Sequence, residues 1–388
     1  LFLRMGYVVG SAGLIAALGM IVLANAISVL TSISLSAIAT NLRVKGGGDY
    51  YVISRTLGVE YGGALGIVLF LAQSISIAFY AIGFGEAVSA FVAGPEWLPQ
   101  AVAAVAVGVL FVLAWLGSDW ATRFQYVVMA VLFAGIASFY LGAVPAWEMD
   151  TLRQNFAPSG GASFWILFAI FFPAVTGFTQ GVSMSGDLRD PSRSLPRGTF
   201  AAVGLSTVVY VSAAILIAGN TAQSQLIGET GAMRNIAAFG PLIDAGVIAA
   251  TLSSAMASFL GAPRILQSLA KDHVFPILRP FAAGHGPSSN PRRGVLLSLV
   301  LAFGTIALGE LDVIAPVVSM FFLVSYGLLN YATYYEARSL SPSFRPRFRF
   351  FHRRASLAGA VACLIAMLAI NPVAGASAVA VLYAIYQY

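Results

Sequence analysis

The sequence predicts an all-α, polytopic membrane protein, and three observations lead there. Of its 388 residues, 59% are hydrophobic and only 9% charged, against roughly 25% charged in soluble globular domains. The mean hydropathy is +0.86. Apolar runs of about 20 residues, enough to cross the ~30 Å hydrocarbon core of a bilayer as helices, recur along the whole chain. They are continuous rather than alternating, which excludes a transmembrane barrel.

Taken in order, Leu1–Val9 reads as the tail of a helix holding Arg4, and Gly10–Gly13 as a turn. Full spans are expected at about Leu14–Ile38, Ala64–Val92, Leu98–Leu116, Phe124–Val144, Phe164–Met184 and Gly198–Gly219, then at Pro241–Leu260, Val295–Leu308, Val313–Tyr335, Ala355–Ile370 and Val373–Tyr388. That makes about 11 full spans after the opening fragment.

One span stands apart. Phe164–Met184 is apolar enough to enter a membrane, yet Pro173, Gly177 and Gly181 interrupt its middle. Proline has no amide hydrogen and its ring clashes with the carbonyl four residues back, so a continuous helix should break there. Glycine lets the chain leave helical angles cheaply. Unwound backbone at membrane depth persists only where protein buries it or where it lines a watery cavity, and discontinuous helices of this kind form ion and substrate sites in secondary transporters. A plain proline-kinked span fits the same residues.

The loops set an orientation. Of 21 Lys and Arg residues, 18 fall in segments 39–63, 117–123, 185–197, 264–293 and 336–354, while the alternate loops hold only Arg4, Arg153 and Arg234. The positive-inside rule puts the first set in the cytoplasm. The net charge of +6 is thus a topology signal with an attraction to anionic lipid, and no nucleic-acid partner is needed to explain it. Two of these loops, Arg43–Tyr61 and Gln267–Leu278, carry short amphipathic patterns expected at the interface. Gly46-Gly47-Gly48 lacks the spacing and context of a phosphate loop. The lone Cys363 excludes an intramolecular disulfide and reads as an inert core thiol. His273, His285 and His352 are too scattered for a metal site, and no nucleophile–base constellation falls among the spans, so neither an enzyme nor a bound cofactor is expected.

Several stretches carry a resemblance to a known family: LSAIATNLRVKGGGDYYVISRTLG, YAIGFGEAV, FFPAVTGFTQGVSMSGDLRDPSRSLPRGT, ATLSSAMASFLGAPRILQSLAKDHVFP and DVIAPVVSMFFLVSYGLLNYA. Together, and in this order, the chain resembles the cation–chloride cotransporters, most of all the sodium-potassium-chloride type, a branch of the amino acid–polyamine–organocation superfamily. The resemblance implies a LeuT-type inverted-repeat bundle. Residues 1–144 would be an incomplete first repeat opening with the second half of a broken helix, 145–336 the second repeat, and 337–388 the last two helices. The family's first half-helix and cytoplasmic domains would lie outside these residues, so the chain by itself is expected not to transport.

What the resemblance implies for function is symport of chloride with sodium, potassium or both across the plasma membrane by alternating access. Potassium would be held by Tyr80, Pro173 and Thr176, and sodium by Ala250, Ser253 and Ser254. Chloride would be held by Gly177, Phe178, Thr179 and Tyr326, and Arg4 with Glu86 would close the extracellular vestibule. From the residues alone, Tyr80 and Tyr326 read equally as packing aromatics, Ser253-Ser254 as a helix–helix hydrogen-bonding pair and Glu86 as a side chain snorkelling to the surface. The expected partners are inorganic ions, membrane lipids and a second copy in a homodimer. Two other functions remain open: an amino-acid permease of the same superfamily, and a transport-inactive membrane scaffold.

Overall fold

The computed structural model describes residues 3–41, 50, 54–55, 58–92, 94–116, 121–158, 161–179, 190–228, 231–286, 289–309, 311–339 and 344–387. Fifteen α-helices run through them: α1 Met5–Ala12, α2 Leu14–Asn41, α3 Val59–Ser89, α4 Leu98–Leu116, α5 Ala121–Ala143, α6 Met149–Gln154, α7 Phe164–Phe171, α8 Pro191–Asn220, α9 Gln223–Gly228, α10 Ala232–Ile236, α11 Gly240–Lys271, α12 Arg292–Ile306, α13 Leu311–Ser339, α14 Arg353–Ile370 and α15 Pro372–Gln387. The described residues contain no β-strand, only an isolated bridge between His285 and Asn290. Eight of the helices are long and apolar enough to cross a membrane, and the chain is a multi-pass membrane protein.

The expected interruption is present. Helix α7 stops after eight residues, about 12 Å and so less than half the hydrocarbon thickness. A 3-10 turn, Phe172–Val175, carries Pro173 in its first positions. Thr176 is extended (φ −85°, ψ 176°) and Gly177 takes φ +91°, where only glycine sits without strain. Phe178 and Thr179 continue as a turn, and the expected second half-helix beyond them, Gly181 included, lies outside the described residues.

Two boundaries differ from the sequence expectation. Helix α1 runs through Gly10 to Ala12, and Gly13 alone makes the turn, with φ +76°. Gly10 stays helical because α9 packs closely on it: a Cβ there would lie 2.6 Å from that of Leu226. Helix α11 continues past Pro263 and Arg264 to Lys271, absorbing the first half of the segment expected to be a separate interfacial helix. Ile265, Leu266, Leu269 and Ala270 are buried in the core, so packing extends the helix where the charge of Arg264 suggested an end. The Arg43–Tyr61 segment lies largely outside the described residues. Its Tyr50 is fully buried and donates to Asp272 Oδ2 at 2.9 Å, while Arg55 Nη2 meets Asp272 Oδ1 at 2.7 Å. Burial first, and the adjacent carboxylate second, push the Tyr50 phenol well above its ordinary pKa.

The broken segment sits inside the bundle, packed on α1, α2, α13 and α14. Helix α3 packs most extensively on α11, which also lies along α5. Small residues let these helices approach closely, and buried hydroxyls tie them together. At the junction of α2, α13 and α14 the completely buried Asn330 donates to Thr31 Oγ1 (2.8 Å) and to the Tyr326 carbonyl (2.8 Å). Its Oδ1 accepts from Ser34 Oγ (2.6 Å), which also meets Ser356 Oγ at 2.7 Å. Asn330→Leu would remove one partner from each of two buried hydroxyls, Thr31 and Ser34. We expect a loss of about 1–2 kcal/mol, read as a lower unfolding temperature in detergent; an unchanged temperature would contradict this role.

Candidate functional site

An interrupted helix in hydrocarbon frees carbonyls that must find donors. Here side chains from three other helices supply them. Ser319 of α13 donates to the Ala169 carbonyl (2.6 Å), Tyr210 of α8 to that of Ala174 (2.6 Å) and Ser28 of α2 to that of Val175 (3.2 Å). The Pro173 carbonyl accepts from Thr176 Oγ1 at 2.8 Å, within the turn itself. The Tyr80 hydroxyl lies close to the Thr176 side chain. Tyr80, Pro173 and Thr176 therefore meet at the carbonyl-rich end of α7, where the helix dipole is negative. Such a concentration of oxygen atoms suits a hard cation.

On the other side of the break, Thr179 and Tyr326 line one small pocket together with Leu35, Leu65, Leu69, Ser325 and Leu329. Both are buried. The Phe178 ring lies 5.1 Å from that of Tyr326, with Phe172 and Phe322 completing an aromatic cage around the tyrosine. Gly177, Phe178, Thr179 and Tyr326 are thus brought together. The surface that the lining residues expose to the pocket is apolar, a setting in which a desolvated anion would need donors turned toward it.

The third set is placed differently. Ala250, Ser253 and Ser254 lie on α11, whose main partners are α3 and α5. Ser253 Oγ donates to Gln125 Oε1 of α5 at 2.6 Å. That hydroxyl is engaged by α5, not by the broken segment.

Arg4, just ahead of α1, meets Glu86 of α3 (Nη2 to Oε1, 3.0 Å) as expected. It also meets Asp312 at the head of α13 (Nε to Oδ1, 2.6 Å). One guanidinium thereby ties three helices, and its Nη1 is buried without a partner among the described residues. An isolated charge within a span is costly, which accounts for the convergence.

Sequence reading missed five of these residues. Asp312 had a signal: an acid opening an apolar run needs a cation nearby. Ser28, Gln125, Tyr210 and Ser319 had none, because a hydroxyl or amide in a membrane helix looks the same whether it bonds its own turn or a neighbour's.

A long bundle with one span broken at mid-depth and polar side chains converging on the break defines a broken-helix membrane transporter fold. Over the whole chain it superimposes on the nucleobase-cation-symport-1 family transporter Mhp1, in a closed conformation with bromovinylhydantoin bound (TM-score 0.55, 16% identity, 87% of that chain covered). At the level of sequence, the family described as Amino acid permease matches residues 1–388, and the chain belongs to that family. Within it the chain is 35% identical over 428 residues to solute carrier family 12 member 2 of Mus musculus, covering 96% of this chain and 36% of the relative. It is also 35% identical to the Squalus acanthias member 2, over 100% of this chain and 37% of the relative, and to solute carrier family 12 member 1 of Mus musculus, over 96% and 39%. These similarities bear out the resemblance drawn from the motifs. The chain spans somewhat over a third of the length of these relatives.

The Arg4 cluster gives a direct test. Arg4→Gln leaves two carboxylates facing one another and is expected to cost about 1–3 kcal/mol of stability. Adding Glu86→Gln should recover part of that loss, with a coupling of about 1 kcal/mol in a double-mutant cycle on unfolding in detergent. Strict additivity would mean that the pair does no work.

Proposed function

We propose that this chain forms the membrane domain of a secondary active symporter that moves chloride together with potassium, sodium or both by alternating access. The single observation that carries the reading is the break at residues 172–177, which sets a carbonyl-rich end beside Tyr80 and Thr176 and has on its other side a small apolar pocket lined in part by Thr179 and Tyr326. Potassium is assigned to Tyr80, Pro173 and Thr176, and chloride to Gly177, Phe178, Thr179 and Tyr326. Sodium is assigned to Ala250, Ser253 and Ser254, where Ser253 must exchange Gln125 for the ion. Arg4, Glu86 and Asp312 form the outer gate, and their release opens the vestibule.

The two repeats, residues 1–144 and 145–336, rock against each other around this centre. The arginine-rich loops face the cytoplasm, and the plasma membrane is the site of action. The driving ions are substrates, and no covalent chemistry is involved.

A second reading has one observation in its favour: the matched family is described as Amino acid permease. Half-helix amides that suit a halide also suit a substrate carboxylate. Tyr80, Tyr326 and the paired serines favour inorganic ions.

Uptake of radioactive rubidium and chloride into proteoliposomes, using the protein expressed from its complete open reading frame, separates the two. Each ion is expected to require the other. Thr176→Ala should raise the rubidium concentration for half-maximal uptake by about tenfold or more, the cost of one lost ligand interaction of ~1.4 kcal/mol. Chloride-independent uptake of an amino acid, with no rubidium movement, would reverse the assignment.

A further inference from the structure

The connector between α13 and α14 combines properties that the transport reading leaves unused. Residues 344–348 form no regular element and alternate, with Phe344 buried and Phe348 half-buried while Arg345 and Arg347 are exposed; a turn follows, closed by the Phe351 amide on the Phe348 carbonyl, and it exposes Arg349. The segment is pinned along its length. Phe344 is buried, the Phe348 ring stacks on Phe200 of α8 at 5.6 Å with 10° between planes, and the Arg345 amide donates to Asn41 Oδ1 at the end of α2 (2.6 Å). A pinned, alternating segment presents its three arginines in a fixed row.

The charge on this row is uncompensated. Arg353 and Arg354 open α14 and add to it, and residues 337–354 contain no Asp or Glu. None of the five arginines has a carboxylate within 4 Å among the described residues. Two cations at a helix N-terminus also oppose the helix dipole, and α14 has neither an acid in its first turn nor a side-chain cap from His352. By contrast, Arg4, Arg55 and Arg234 each bind a carboxylate within 3.0 Å.

The row lies where one long apolar helix ends and the next begins, hence at headgroup level. Phe350 is 73% exposed beside it, an apolar group pointing away from the bundle. We propose that this connector is a docking site for anionic phospholipid headgroups, with the arginines holding phosphate and Phe350 entering the acyl boundary. Guanidinium forks match phosphate oxygens in pairs, and basic clusters flanking a membrane helix draw acidic lipid. Charge complementarity selects lipid over an acidic protein segment, because the bilayer surface is already in place between two spans.

Native mass spectrometry of the full chain, released from detergent with equal phosphatidylglycerol and phosphatidylcholine, tests this. We expect the unmutated chain to retain phosphatidylglycerol in clear preference. R345Q/R347Q/R349Q should lower that preference about tenfold, the lysine triple R345K/R347K/R349K should keep most of it, and the equally charged control R153Q/R193Q/R279Q should leave it unchanged. Raising salt to about 0.5 M should weaken it, as for any exposed ionic contact. Should the glutamine triple fail to fold, R347Q and R349Q singly carry the same reading. No lipid preference in the unmutated chain, an equal fall in the glutamine triple and the R153Q/R193Q/R279Q control, or no fall in the glutamine triple would overturn the proposal, the last leaving the row to a protein partner.

Discussion

Backbone polar groups in hydrocarbon have no water to fall back on, and this constraint organises the molecule. Wherever the chain leaves its helix at depth, every freed carbonyl must be met. At residues 169–176 the donors come from α2, α8 and α13, so three helices are committed to holding one break open. Most of the fold can be seen as the scaffold that brings those hydroxyls to that place. The half-helix, in return, concentrates carbonyl oxygen and dipole at one point in an otherwise apolar interior. No regular helix can present such a point.

Charge obeys the same rule with larger penalties. Arg4 sits between Glu86 and Asp312, joining α3 and α13 to the segment ahead of α1. At the C-terminal end of α11, Asp272 gathers Tyr50 and Arg55 from the segment between α2 and α3. Both clusters connect parts of the chain that are distant in sequence, and both stand at ends of spans, where movement of one helix against another would be felt first. The arginine row at residues 345–354 departs from this pattern. Its counter-charge is not supplied from within the described residues, and the membrane surface is the nearest source of one.

The fold class was legible from composition, and the break from Pro173 and Gly177, because both depend on local backbone chemistry. Helix ends were less legible. Gly10 looked like a turn and proved helical because Leu226, more than 200 residues later, packs against it; Arg264 looked like an exit and proved to be one exposed position on a helix whose neighbours are buried. The candidate site was visible where residue type alone implies chemistry, as with Arg4 and Glu86. It was invisible where a common residue acquires a role from its neighbours. Tyr210 is one aromatic among 15 tyrosines, and only the fold sets its hydroxyl on the Ala174 carbonyl.

The central claim is that the carbonyl end of the interrupted helix, with Tyr80 and Thr176, is a cation site. Anomalous diffraction from crystals grown with thallium, a heavy surrogate for potassium, tests it without recourse to transport. The account predicts a peak within about 3 Å of the Pro173 carbonyl and the Thr176 hydroxyl, weakened by excess potassium. A map with clear density for residues 164–179 and no anomalous peak beside the break would contradict it.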